Sequence, residues 1–127
     1  MNVKSHIPLV SVLMPIWNAA EYLNESLGSI VNQSYKNLEI IIVDDASTDQ
    51  SIDIVTSYCD PRVVIIKNYE NLGLAESLNV AIRHSSGELL ARMDGDDIAH
   101  NDRIARQVAF LNEHPEVDVL GSAMQYF

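Results

Sequence analysis

Glu39-Ile40-Ile41-Ile42-Val43-Asp44-Asp45 is the stretch on which the fold turns. Four β-branched apolar residues stand in a row without polar alternation. A strand with one wet face would alternate, so this run predicts a strand buried on both faces, as in parallel sheets covered by helices. The run ends abruptly in two aspartates. Three more short apolar runs share its character: Leu9-Val10-Ser11-Val12-Leu13-Met14, stopped by Pro15, then Val63-Val64-Ile65-Ile66, and Glu88-Leu89-Leu90-Ala91-Arg92-Met93. A fifth strand is expected to begin at Val117-Asp118-Val119-Leu120.

Amphipathic segments lie between these runs. Asn18-Ala19-Ala20-Glu21 has the spacing of a capping box, and Leu23, Leu27, Ile30 and Val31 form one helical face behind it. Ser47 or Thr48 is expected to cap a helix that turns Ile52 and Val55 inward and ends near Cys59. Asn71-Leu72-Gly73 opens a third helix with Leu74, Leu78, Ala81 and Ile82 on one face, closed by Ser86-Gly87. A fourth carries Ile104, Val108 and Leu111 and stops before Pro115. The order is β-α-β-α-β-α-β-α-β, which implies an α/β fold with a mostly parallel sheet and helices on both faces.

Composition narrows the function. With 127 residues the chain reads as one domain, 1–127, long enough to bury a real core. Eight Lys and Arg against 18 Asp and Glu give a formal net charge of −10. Such a chain does not attract nucleic acid or an anionic membrane through a general field. A bound phosphate would need positive charge from elsewhere. Cys59 is the single cysteine, so no internal disulfide and no cysteine-rich zinc module can form. No apolar run reaches the roughly 18 residues of a membrane helix, and Met1 to His6 carry no signal-peptide core. The reading is a cytoplasmic domain, compatible with membrane association of a longer parent protein.

In open parallel sheets ligands bind beyond the carboxyl ends of the strands. Those ends read Pro15-Ile16-Trp17-Asn18, Asp44-Asp45, Asn68 to Gly73, and Asp94-Gly95-Asp96-Asp97. Five carboxylates at two strand mouths repel one another unless a cation or a hydrogen-bonded ligand sits among them. Mg²⁺ typically takes one or two carboxylates plus substrate phosphates. Asp94-Gly95-Asp96 suits that role, with a glycine that lets backbone and ligand approach. The plain alternative is a solvated loop with a helix cap. Of Asp44 and Asp45, one is expected to end the strand and the other to face the ligand. Trp17, the only tryptophan, is placed to stack on a base, its alternative being a half-buried rim residue. Asn18 reads more readily as a helix cap than as a ligand. His6, His84, His100 and His114 read as surface residues, with His100 close enough to the acidic loop to be a metal candidate. Neither GxGxxG nor GxxxxGK[ST] occurs.

These residues resemble the N-terminal half of a GT-A-fold, inverting family 2 glycosyltransferase. The resemblance rests on four segments in register: 10–18, 42–49, Asn71-Leu72-Gly73-Leu74-Ala75 with Asn79, and 91–97. It covers residues 8 to 127 and implies a Rossmann-like GT-A nucleotide-binding half. It implies that Pro15 and Trp17 line a base pocket, that Asp45 bonds the base, with uracil expected, and that Gly73 and Asn79 lie near the nucleoside. It further implies that Arg92 braces the acidic loop or approaches the phosphates. Asp94 would reach the ribose or the metal shell. Asp96 would ligate Mn²⁺ or Mg²⁺ against the diphosphate, with Asp97 in support. The implied partners are a nucleotide-diphosphate sugar (a UDP-sugar foremost) and a glycan or lipid-linked acceptor. The family's acceptor site and general base lie in a second half, so the base is expected beyond Phe127 and the chain reads as the donor-binding part of a longer enzyme. A cut sheet edge at residues 117–127 would favour self-association. A receiver domain also has an acidic pocket, but its acidic pair follows the first strand and a Lys follows the fifth. Metal-dependent phosphatases carry Asp-x-Asp after the first strand, not the fourth. A nucleotide-binding scaffold without chemistry is the remaining alternative.

Overall fold

A computed structural model describes residues 7–123. Its elements are β1 (Val10–Ile16), α1 (Ala20–Val31), β2 (Leu38–Asp44), α2 (Ser51–Ser57), β3 (Val63–Lys67), α3 (Leu74–His84), β4 (Leu89–Arg92) and α4 (Arg103–Glu113). The four strands form one parallel sheet in the order β3-β2-β1-β4. The order reverses direction at β1, so the crevice between the carboxyl ends of β1 and β4 is the switch point at which such folds take ligands.

The unalternating run behaves as its sequence demands. Ile40, Ile41, Ile42 and Val43 are all fully buried. Alternate residues of the central strands feed two separate cores. Val12, Met14, Ile40 and Ile42 pack with Leu23, Leu27 and Ile30 of α1, Val55 of α2 and Ile104 and Val108 of α4. Leu13, Ile41 and Val43 pack against Val80 and Ala81 of α3. Helices therefore cover both faces, three on one and α3 alone on the other.

Several local expectations are corrected. Pro15 does not stop β1; it lies inside it, opposite Val43. Residues of like parity on β1 point their backbone groups toward β4, as Leu13 does when its carbonyl accepts from Met93 N. The β4 ladder ends at that point, so the missing N–H of Pro15 faces a side with no partner left to satisfy.

No fifth strand is present at 117–120. Val119 is 89% exposed, and a lone extended segment without a hydrogen-bonding neighbour has nothing to hold it as a strand. The expected cut edge at 117–127 is thus coil through residue 123, with 124–127 outside the described residues, and β3 and β4 are the outer strands among the described residues. On α3 the buried set is Ser77, Val80 and Ala81, whereas Leu74 and Ile82 are exposed. The small Ser77 and Ala81 turn toward the sheet, which rotates the helix away from its leucine stripe. Gly87 does not close α3 in a left-handed turn; Gly73 is the glycine with positive φ, at +90°. Gly87 instead lies where a Cβ would come within 2.6 Å of Ser11 Oγ and 2.7 Å of Ser11 N.

Candidate functional site

The β1–α1 junction carries two of the expected site residues. Trp17 follows directly on β1 and is 57% exposed. Asn18 adopts a left-handed φ of 47°. It is not the cap of α1, which starts at Ala20 with Ala19 before it and no side-chain cap of its own. The orphan N–H groups there are satisfied from the neighbouring loop. Asn18 N donates to Ser47 Oγ at 2.9 Å, Ala19 N to Ser51 Oγ at 3.0 Å and Ala20 N to Asp49 Oδ2 at 3.1 Å. Asn18 Oδ1 returns the favour by accepting from Thr48 N at 2.8 Å. Neither Ser47 nor Thr48 caps α2; Asp49 Oδ1 accepts from Ser51 N there. The polar run after β2 therefore serves two helix starts at once and fixes the backbone immediately after Trp17.

The two aspartates at the end of β2 divide their work. Asp44 Oδ1 accepts from Ser47 N and shapes the local turn. Asp45, 5% exposed, points into the loop after β3. Its Oδ1 accepts from Asn68 Nδ2 at 2.9 Å and Leu72 N at 2.7 Å, and its Oδ2 accepts from Gly73 N at 2.9 Å. Burial works to raise the Asp45 carboxyl, but the donors at Leu72, Asn68 and Gly73 outweigh it and hold it below the ordinary aspartate value. The positive φ of Gly73 lets the chain turn into α3 directly above this carboxylate.

A cleft of about 520 Å³ opens beside these groups, lined by Pro15, Trp17, Asp45, Asn71, Gly73, Leu74 and Ser77. Pro15, Trp17, Asp45 and Gly73 are thus brought together. Asn79 is not among the lining residues; two positions beyond Ser77 on α3, it is exposed. Asn71 and Leu74 lie in segments the sequence marked, but they were not expected as site residues, and neither was Ser77. Leu74 owes its exposure to its place on the cleft wall, which is why it is missing from the buried face of α3.

The acidic loop follows β4. One carboxylate oxygen from each of Asp94, Asp96 and Asp97 lies within 4.8 Å of the others. Among the described residues this is the group of acidic, histidine and cysteine side chains that could hold a metal, and His100 is outside it. His100 instead accepts from Asp102 N through Nδ1. Burial, then the charges of Asp94 and Asp96, raise the Asp97 carboxyl above its usual range, and Arg103 and Arg92 counter them only in part. Three hard oxygens gathered this closely suit a hard divalent cation. Arg92 braces the loop through Asp94, at 3.2 Å. Gly95 lets the loop press against β1, since a Cβ there would meet Ala19 Cβ and Ile16 Cγ2 at 3.3 Å. Its close approach is to protein atoms of the β1–α1 junction. His84 and His100 are exposed and His114 is half-buried, while His6 lies outside the described residues. No helix among the described residues is long and apolar enough to cross a membrane.

Fold and site together define a parallel α/β domain with a mostly apolar cleft that carries one buried carboxylate, and an acidic loop at the switch point of its sheet. The chain belongs to glycosyl transferase family 2, whose profile matches residues 11–127. It is 45% identical over 123 residues to the putative glycosyltransferase EpsE of Bacillus subtilis, covering 94% of this chain and 44% of EpsE. Among solved structures it is similar to Staphylococcus aureus TarS 1–349 in complex with UDP, with a TM-score of 0.79 and 31% identity over 84% of this chain and 32% of that one. It is also similar to the Pyrobaculum calidifontis mannosyltransferase PcManGT in complex with GDP-Man and Mn²⁺. There the TM-score is 0.77 and the identity 33%, covering 84% of this chain and 33% of that one. The chain thus spans less than half the length of these relatives. The receiver and phosphatase alternatives give way to this membership.

Proposed function

We propose that this chain is the donor-binding part of an inverting glycosyltransferase and takes a nucleotide-diphosphate sugar, a UDP-sugar foremost. The observation that carries the reading is the presence of two unlike acidic sites at the carboxyl end of one sheet: Asp45 in the wall of the cleft and the Asp94, Asp96 and Asp97 trio beyond β4. Trp17 and Pro15 offer the base a flat apolar wall, and aromatic stacking contributes about 1–3 kcal/mol per base. Asp45 accepts from Gly73 N through Oδ2 and also from the Ser77 hydroxyl, and a base N–H would take a remaining carboxylate lone pair. UDP in TarS and GDP-Man with Mn²⁺ in PcManGT support this class of ligand.

Asp96, with Asp94 and Asp97, would hold Mn²⁺ or Mg²⁺. The ion's chemistry is to neutralise the diphosphate and stabilise it as the leaving group. Arg92 keeps Asp94 turned toward that position. The acceptor is proposed to be a glycan or a lipid-linked glycan. The base that takes its hydroxyl proton is assigned to the family's second half, beyond Phe127. Copies of the chain are proposed to associate along the outer strand β4, where Leu90 is 49% exposed. Sedimentation over a concentration series reads that directly.

Calorimetric titration of UDP with Mn²⁺, with EDTA, and into Asp96→Ala tests the donor reading. Expected is metal-dependent binding that weakens at least tenfold in the variant, about 1.4 kcal/mol. UDP binding of equal strength in Mn²⁺ and EDTA would remove the role of Asp96; no binding under either condition would remove the donor site.

A further inference from the structure

Gln33 is a fully buried polar side chain, 0% exposed, lying two residues past the end of α1. Its amide is satisfied at both ends. Nε2 donates to Ser29 O at 3.0 Å and to His100 O at 2.7 Å. Oε1 accepts from Ile104 N at 3.0 Å. Two of these partners belong to the segment that leads from the acidic loop into α4. Neighbouring groups of α1 and its exit hold the same segment: Ser29 Oγ accepts from Ala99 N at 3.0 Å, and Ser34 N donates to Asn101 O at 2.9 Å.

The start of α4 has no side-chain cap from Asp102, its own N-cap residue. The N–H groups of a helix's first turn need partners from outside the helix, and Gln33 supplies the one for Ile104. Next to Ile104 stands Arg103. Its guanidinium runs back under the acidic loop, donating from Nη2 to Arg92 O at 3.0 Å and from Nη1 to Met93 Sδ at 3.7 Å. Its Nε is held by Gln107 Oε1 at 3.2 Å. A continuous set of contacts therefore runs from Gln33 to the start of α4, through Arg103, to the end of β4 immediately ahead of Asp94. The acidic loop is held at both ends, at Arg92–Met93 and at Ala99–Ile104, and Gln33 secures the second end and, through it, the first.

We infer that Gln33 is a positioning residue for the acidic loop: it sets the spacing of Asp94, Asp96 and Asp97, and hence their affinity for a hard divalent cation, without touching the ion. The inference rests on the metal-site reading given above. An apolar residue of the same size would fill the volume. It would leave the Ile104 N–H without its buried partner and the His100 carbonyl with Arg103 N but not the Gln33 donor, and the segment would shift to find others.

Three measurements on the full chain test this in Gln33→Met, Gln33→Glu and Ser29→Ala. Amide hydrogen exchange at Ala99 and Ile104 reads the tether and needs no ligand. Mn²⁺ titration reads the acidic loop. Quenching of Trp17 fluorescence by uridine reads the other end of the cleft. In Gln33→Met we expect faster exchange at both amides, Mn²⁺ affinity lower by about tenfold or more, and uridine quenching within twofold of the parent. Gln33→Glu keeps an acceptor for Ile104 N but loses the donor for His100 O when ionised, so its Mn²⁺ affinity falls between the two. Should Gln33→Met fail to fold, Ser29→Ala removes only the Ala99 tether and a local α1 bond; it is expected to weaken Mn²⁺ binding in the same direction by a smaller factor. Faster exchange with unchanged Mn²⁺ affinity would reduce Gln33 to a structural role. An equal fall in Mn²⁺ and uridine binding would show general loosening of the fold, and either result overturns the inference. Parent chain that binds no Mn²⁺ is a separate result, which sinks the metal-site reading itself.

Discussion

Asp45→Asn is the substitution whose consequences follow most directly from the geometry. The carboxylate is 5% exposed and receives donors from Asn68, Leu72, Gly73 and the Ser77 hydroxyl. An asparagine keeps the shape and one acceptor oxygen, but its other terminal group is itself a donor. If the oxygen stays with Asn68 and Leu72, the new NH₂ faces Gly73 N, donor against donor. The loss is one charge-assisted bond plus a buried N–H left unpaired, about 2 kcal/mol in all. For a domain of this size that corresponds to a drop in Tm of roughly 8 °C and a shift in urea midpoint of about 1 M. The pH dependence carries the sharper signature. A carboxyl held below its unfolded value stabilises the fold above that value, about 3.9, and loses the contribution as pH falls through the native one. The gap between parent and Asp45→Asn should therefore be full at neutral pH and close on the acid side of about 3.9. Urea melts followed by far-UV circular dichroism from neutral to acid pH measure it. A gap under about 0.5 kcal/mol at neutral pH, within the range of an ordinary surface substitution, would refute the clamp. So would a gap that does not narrow in acid.

Two shorter predictions concern the same cleft. Gly73→Ala adds a Cβ that meets nothing within 4 Å, so any cost comes from its φ of +90° and ψ of 169°. About 1–3 kcal/mol of destabilisation is expected, read by the same urea melts, and a neutral result would mean that the turn relaxes freely. Trp17→Ala should weaken uridine binding by about 1–3 kcal/mol with little change in stability, because the ring is over half exposed. Trp17→Phe should recover most of that loss in calorimetry, and failure to do so would argue against stacking.

How much of this was legible beforehand depends on the range of the interaction involved. The strand Glu39 to Val43 announces itself because burial on both faces is a local property of composition. Positions after strand ends are equally readable, since parallel topology dictates where they converge; Trp17, Asp45 and Gly73 do meet in one cleft, with Pro15 joining them from inside β1. The errors arise where a remote partner decides. Asn18 has the spacing of a cap, yet Ser47, Asp49 and Ser51 satisfy the start of α1 from another loop. Leu74 and Ile82 carry the apolar stripe of α3, yet the small Ser77 and Ala81 choose the buried face. Val117 to Leu120 has strand composition, yet finds no strand to pair with among the described residues. Gln33 offered no signal at all, because a glutamine reads as surface until its three partners, two of them from His100 and Ile104, are placed around it.

The two acidic sites look alike in the sequence, and their environments make them opposites. Asp45 is surrounded by donors from its own chain, so its negative charge is answered within the fold and its carboxyl is held low. Asp97 is pushed up by burial first, then by the two like charges beside it, with only partial relief from Arg103 and Arg92. A carboxylate of the first kind stiffens a wall and keeps a lone pair for a neutral N–H. A group of the second kind repels itself until a cation arrives. For a chain of net charge −10 that is proposed to hold a diphosphate, this separation would decide the order of events. The neutral base can enter the Trp17–Asp45 end against no electrostatic barrier. The phosphates can approach Asp94, Asp96 and Asp97 only together with their counter-ion. Affinity for a nucleoside should therefore be nearly independent of divalent metal, and affinity for its diphosphate should depend on it steeply.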